Sequence, residues 1–267
     1  MILLNFQGLN CYYNCIVSIA NAYGLNYLAC FASLWSETDF KYDKFRDVFL
    51  TKRMLSILAA MGVNLVMLDC APPVKGLDAC KEGEYIMIGM DVYYLPWNSL
   101  YKLHHGPHYF IARYTKAEVL TCFDPTYGNQ NEHIHLDEVV PYVFDISRLC
   151  CVEKKSVPVS VQNEAKEILL NHSYLYDKLI APGDELWVAK YVDAMIHNRY
   201  LYRHFLQCQQ SLFARLFDQE FFLDWAAVKN GLYKAAVRKD RALINEVHGR
   251  IKDILDKEAM MAQQILC

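Results

Sequence analysis

No run of 18 apolar residues occurs in this 267-residue chain, so no ordinary transmembrane helix is expected. The opening MILLNFQGLN has neither a basic leader nor an apolar stretch long enough for a signal peptide, which predicts a cytoplasmic protein. Basic blocks are missing as well: 27 Lys and Arg stand against 30 Asp and Glu, for a net charge of −3. That balance gives no electrostatic support to nucleic-acid binding. The ten cysteines include no C-x-x-C pair, and the adjacent Cys150 and Cys151 would point to opposite faces of a strand. Such spacing, in a compartment that keeps thiols reduced, predicts neither a zinc site nor a disulfide framework. Repeats and low-complexity segments are absent too.

What is there is material for a large core: 54% of residues are apolar and 21% charged. The length fits one large domain or two ordinary ones. Up to about residue 157, helical stretches come first: Cys11–Tyr23, then roughly Asn26–Trp35 and Arg46–Met61. Strand-like runs follow, VNLVML from Val63, EYIMIGMDVYYL from Glu84, HYFIARY from His108, AEVLTCFD from Ala117 and RLCCVE from Arg148. They are rich in Val, Ile, Tyr and Phe and bounded by Pro, Gly and Asp, and this order predicts an α+β domain with an antiparallel sheet.

From Pro158 onward the pattern is helical. Trp225, Val228, Leu232 and Ala235 recur at spacings of 3, 4 and 3, as do Ile244, Val247, Ile251 and Ile254, and each set makes one apolar stripe facing a core. SVPVS (156–160) and APGDE (181–185) read as linkers or helix starts. The expected division is a catalytic region at 1–157 and a helical region at 158–267.

Candidate chemistry begins at Cys11. A cysteine nucleophile needs a stabilised thiolate, a base and a group that orients the base. Cys11 lies after Gly8 and Asn10 where a helix would begin, and free N–H groups at a helix start stabilise a thiolate. Ile16, Ile19, Ala20 and Tyr23 give that helix its apolar face, and Gly24 follows as a C-cap. His108 opens a strand, Asp124-Pro125 closes the next, and a turn near Thr115–Lys116 lies midway between them. In a hairpin the start of one strand lies beside the end of the next, so His108 and Asp124 are expected to face each other. An Asp so placed holds an imidazole in one tautomer. Singly, each residue has an ordinary reading: a buried small cysteine, a strand-edge histidine, a turn aspartate. Together they describe a papain-like site.

The spacing C-x3-C-x8-G from Cys11 through Cys15 to Gly24, and H-x15-D-P from His108 to Pro125, resembles the two motifs of the C39-type cysteine peptidase superfamily. DVYYLPWNSLYKLHHGPH from Asp91 to His108 is similar to the lead-in to the catalytic histidine of the butirosin-type acyltransferases. W-x2-V-x3-L-x-K-A from Trp225 and I-x2-I-x3-E from Ile251 to Glu258 are similar to the helical part of that group, on loose, mainly apolar positions. The resemblance implies a papain-like (C39-like) fold and an acyltransferase. An amide synthetase of this kind, as in the making of antibiotics such as butirosin and closthioamide, takes an acyl chain from the phosphopantetheine thioester of a carrier protein and passes it to an amine.

Catalytic Cys11, His108 and Asp124 follow from that resemblance, with no bound cofactor or metal. The peptidases carry an oxyanion-hole Gln six residues before the cysteine; that position is Asn5 here, and Gln7 lies four before, so either amide is a candidate. Asp91 reads as a salt-bridge partner for the acceptor amine or as a strand cap, and His104 and His105 as solvated or substrate-facing. Arg238, Lys239 and Arg241 could meet an acidic carrier, although a charge run is ordinarily a solvated face. The partners expected are an acyl-loaded carrier protein and a small amine, with no nucleic acid and no membrane. Two rival classes share the same residues: a soluble C39-like peptidase or thioesterase, and a non-catalytic carrier-binding module with a vestigial triad.

Overall fold

The computed structural model describes residues 1–44, 48–68, 77, 80–115, 119–151, 154–181 and 183–267. They form two compact units, residues 1–27 with 58–156 and residues 28–57 with 157–267. The later boundary lies where the sequence pattern turns helical, whereas residues 28–57, read from sequence with the first region, group with the helices. Lys116 of the expected hairpin turn lies outside the described residues. So do Arg46, Ala117, Glu118, Val152, Glu153 and Pro182 of the stretches named above.

The first unit is mixed α and β. Helix α1 (Cys11–Ala22) is followed within this unit by strands β3 (Val63–Met67), β4 (Tyr85–Asp91), β5 (Pro107–Arg113), β6 (Val119–Asp124), β7 (Asn129–His135) and β8 (Val143–Cys151). Among the described residues they make a six-stranded sheet in the order β3-β8-β4-β5-β6-β7, antiparallel throughout. One face carries Ile86, Ile88, Met90, Phe110, Ala112, Leu120, Cys122 and Ile146, all buried together. The alternate residues of β5 face the other way, and Tyr109 meets Tyr12 of α1 edge-on at 5.1 Å. β5 is therefore buried on both faces, with α1 lying against it. Gly89 of β4 lacks a side chain for a steric reason: a Cβ there would sit 2.5 Å from Phe144 and 2.9 Å from Tyr109.

Strand β4 stops earlier than its apolar run suggests. Asp91 turns the chain by accepting a hydrogen bond from the Tyr93 amide at 3.0 Å and capping a short 3-10 turn at Val92–Tyr94. β7 has no apolar alternation, and it forms nonetheless because an edge strand with polar side chains is tolerated where water covers it.

The second unit holds a two-stranded sheet, β1 (Phe40–Asp43) with β2 (Val48–Thr51), and the long helices α4 (Val161–Ile180), α5 (Glu185–Cys208), α6 (Gln219–Arg238) and α7 (Arg241–Leu266). Two shorter helices precede them: α2 (Arg53–Ala60), which runs across the boundary between the units, and α3 (Leu136–Val139) in the first unit. The expected helix at Arg46–Met61 is thus a strand and a shorter helix. The one at Asn26–Trp35 reduces to a 3-10 turn at Tyr27–Phe31.

Each long helix starts on a side-chain cap, Ser160, Asp184, Asp218 or Asp240, whose oxygen accepts from amides of the first turn. At the core, Arg199 on α5 is paired through both Nε and Nη2 with Glu258 on α7, the latter bond at 2.7 Å. Trp225 Nε1 on α6 donates to Glu258 Oε1 at 3.0 Å, and the guanidinium lies 4.9 Å from the Trp225 ring. Three helices are tied by one buried charge pair. Among the described residues no helix is long and apolar enough to cross a membrane.

Candidate active site

The chain reaches Cys11 through a tight turn. The Leu9 amide donates to the Phe6 carbonyl at 3.0 Å, and Gly8 between them has φ 103°, a conformation that disfavours any side chain. Asn10 then caps α1: its side chain accepts from the Tyr13 amide at 3.0 Å and its carbonyl from the Asn14 amide at 2.8 Å. Cys11 is the first helical residue, half-buried, so its sulfur lies where the unpaired amides of the first turn concentrate positive potential.

His108 is the second residue of β5 and Asp124 the last of β6. The sequence places them opposite each other; the ladder puts them diagonally. Register pairs Ile111 with Phe123, so extending it sets Phe110, not His108, across from Asp124. The side chains close the offset: His108 Nε2 and Asp124 Oδ2 are 2.7 Å apart. Asp124 is fully buried, and its other oxygen accepts from the Thr126 amide at 3.0 Å.

The Cys11 thiol lies close enough to the same imidazole to act on its charge. Burial of the ring works against its charge. The bond to Asp124 and the nearby Cys11 thiol, with the charges of those groups, outweigh it and push His108 up to about 9. Cys15, one turn along α1, is its opposite: full burial drives its thiol well above the ordinary range, with the nearby charges of Cys11 and Asp124 adding to the shift. Cys15 is packing, and Cys11 is the sulfur set against a base.

Three further residues frame the site, and the sequence reading did not single them out. Trp97 Nε1 donates to Asp124 Oδ2 at 3.0 Å, on the same oxygen that His108 uses. Asn14, buried one turn from Cys11, donates to Asn5 Oδ1 and to Thr126 Oγ1, each at 3.3 Å. Thr126 in turn accepts from Asn5 Nδ2 at 3.1 Å through its carbonyl. The available signal for Asn14 was a polar residue three positions from Cys11, on the same helix face amid apolar neighbours.

Of the two oxyanion candidates, Asn5 has its amide committed to Thr126, while Gln7 is exposed and its side chain has no hydrogen-bond partner among the described residues. Asp91 and His105 are brought together, with His105 Nδ1 2.7 Å from Asp91 Oδ2. Asp91 also takes the amides of Tyr93 and Gly106, each at 3.0 Å. Burial is the largest single influence and opposes ionisation of Asp91, but these bonds together hold its carboxyl below the usual range. The pair pins both ends of the Val92–Gly106 loop. Among the described residues no three His, Cys, Asp or Glu side chains gather as ligands for a metal ion. Comparison of the chain with family models and with curated proteins returns no match.

Proposed function

We propose that the first unit is a papain-like, C39-like catalytic unit and that the chain is an amide-forming acyltransferase working in the cytoplasm. Its donor is an acyl group on the phosphopantetheine thioester of a carrier protein, its intermediate a thioester on Cys11, and its acceptor an amine. The observation that carries the reading is the buried His108–Asp124 pair with the Cys11 thiol on the same ring. Support for amine rather than water as the acceptor comes from the resemblance at Cys11–Gly24, His108–Pro125 and Asp91–His108.

A ring that keeps its proton at neutral pH presents positive charge to the Cys11 sulfur and favours thiolate. The thiolate attacks the thioester carbonyl, and in this reading the oxyanion is received by the Cys11 amide with the side chain of Gln7 or Asn5. Collapse expels the phosphopantetheine sulfur, which takes the proton from His108. The now neutral imidazole accepts a proton from the amine as it attacks the Cys11 acyl carbon. Cys11 leaves as thiolate, and the resting pair is restored. Asp124 keeps the Nε2 proton in place throughout, so the other ring nitrogen does the chemistry.

The test is intact-mass spectrometry of the protein with an acyl-loaded carrier. An adduct equal to the acyl group, lost on adding amine with appearance of amide, is the expected result. Adduct loss at the same rate without amine would indicate a thioesterase. Product without any adduct on Cys11 would defeat the mechanism.

A further inference from the structure

Between β4 and β5 the chain makes a loop, Val92–Gly106, whose two faces differ in kind. Inward it is fixed. Asp91 holds both ends, Leu95 and Asn98 are buried, and Trp97 reaches Asp124. Outward, seven consecutive residues from Ser99 to His105 are exposed. Three are large and apolar, Leu100, Tyr101 and Leu103, the last 68% exposed. The loop itself contains no acidic residue.

Its cation is held in an uncommon way. Lys102 has φ 58°, a left-handed conformation that costs a side-chain-bearing residue energy, and its amide donates to the Tyr93 carbonyl at 3.1 Å. The ammonium lies 5.1 Å from the Tyr93 and Tyr94 rings and 5.2 Å from that of Tyr101. Aromatic faces attract a cation without neutralising it. Among the described residues no carboxylate pairs with Lys102, and Asp91, the nearest acid along the chain, is taken up by His105. A strained, positioned and uncompensated charge therefore stands among exposed leucines, on a loop whose inner side touches the triad.

We propose that the Ser99–His105 ridge is the surface on which an acidic carrier protein docks. The proposal rests on the acyltransferase reading and adds where the donor is recognised. Charge complementarity selects the occupant: Lys102, beside exposed His104, asks for a carboxylate, and Leu100 and Leu103 ask for apolar neighbours of that carboxylate. Because the loop is anchored from within, little ordering is needed on binding, and the buried apolar area goes to affinity.

The experiment compares two donors on the full chain. Acetyl, octanoyl and benzoyl groups are presented as thioesters of an acidic acyl carrier protein and, separately, of N-acetylcysteamine, a small thiol with no protein attached. Acylation of Cys11 is followed by intact mass for wild type, Lys102→Glu and Leu103→Ser. The expected result is faster acylation of wild type from the carrier, an advantage that falls roughly tenfold in each variant and at high salt. N-acetylcysteamine rates should stay unchanged, which also shows that the variants fold. A carrier advantage retained in both variants overturns the ridge and leaves the acyltransferase reading standing. A loss of rate with both donors makes the ridge part of the catalytic frame and overturns docking. Wild type that shows no preference for the carrier, or reacts with neither donor, removes the carrier reading and the ridge with it.

Discussion

Trp97 and His108 donate to the same oxygen of Asp124, at 3.0 and 2.7 Å. Two donors on one carboxylate oxygen compete for its charge, so the indole tempers how strongly Asp124 holds the imidazolium. Trp97→Phe removes the competitor while keeping an aromatic ring. His108 should then titrate higher than in wild type, measured by NMR of its ring protons. A downward shift would mean that the indole acts on His108 through packing instead.

The two cysteines of α1 should behave oppositely. Cys11→Ala should lower acyl transfer by about 10³-fold or more, because nucleophile and base act as a unit. Cys15→Ala should leave the chemistry and cost roughly 1 kcal/mol of stability, a small buried side chain lost. Limited iodoacetamide labelling followed by peptide mapping should place the fastest alkylation at Cys11. If Cys15→Ala were the inactive variant, the nucleophile would be misassigned.

His108→Ala should slow acylation and aminolysis by about 10²–10⁴-fold, the usual worth of a positioned acid–base. Asp124→Asn should slow them less, since it keeps a partner for the ring and loses only the charge. Single-turnover rates of adduct formation and decay report both steps, and equal losses would deny Asp124 an electrostatic part.

The same pair should be visible in stability against pH. The ordinary histidine value is 6.5 and the folded protein holds His108 near 9. Folding therefore tightens proton binding, so the stabilisation is complete below pH 6.5 and is lost as pH rises through about 9. The difference in Tm between wild type and His108→Gln should be largest near pH 6 and shrink steadily toward pH 10. A difference that stays flat across that range would show that the ring is not held protonated.

In the helical unit, Glu258→Ala leaves Arg199 buried and unpaired and should cost roughly 3–5 kcal/mol. Arg199→Met combined with Glu258→Leu should recover part of that loss, with the Trp225 N–H still lacking an acceptor. Urea denaturation of both variants measures it. A double variant no more stable than Glu258→Ala would show that packing, not charge, dominates.

The placing of Cys11 at a helix start and of His108 beside Asp124 was legible because their signals are local. Cys11 is announced by a cap and a helix within a dozen residues, and His108 and Asp124 by one hairpin. Their diagonal offset was not legible, since register depends on the turn and on neighbouring strands. Trp97 was hidden because the loop that carries it has no period to read. Residues 28–57 misled for a related reason. Val48–Thr51 is too short to separate strand from helix by pattern, and its pairing with Phe40–Asp43 decides. Likewise Trp35 sits near the end of a mostly apolar run with no clear period, and its place is set by stacking on Tyr202 at 5.5 Å and meeting Phe217 edge-on at 5.1 Å. Glu258 shows the converse: it reads as an ordinary polar position on an amphipathic helix, yet it accepts from Trp225 at the centre of the unit.

The bond from Trp97 to Asp124 also has an optical consequence. Indole emission responds to the charge next to the ring, and this indole is bonded to a carboxylate whose partner, in the proposed mechanism, changes protonation during turnover. The chain has four tryptophans, and Trp225 is bonded to a carboxylate of its own, so total emission mixes several signals. The spectrum of wild type minus that of Trp97→Phe isolates one of them. The protein thus carries a chromophore bonded to Asp124, and if the proposed mechanism holds, stopped-flow fluorescence follows each proton transfer at His108 without any added label.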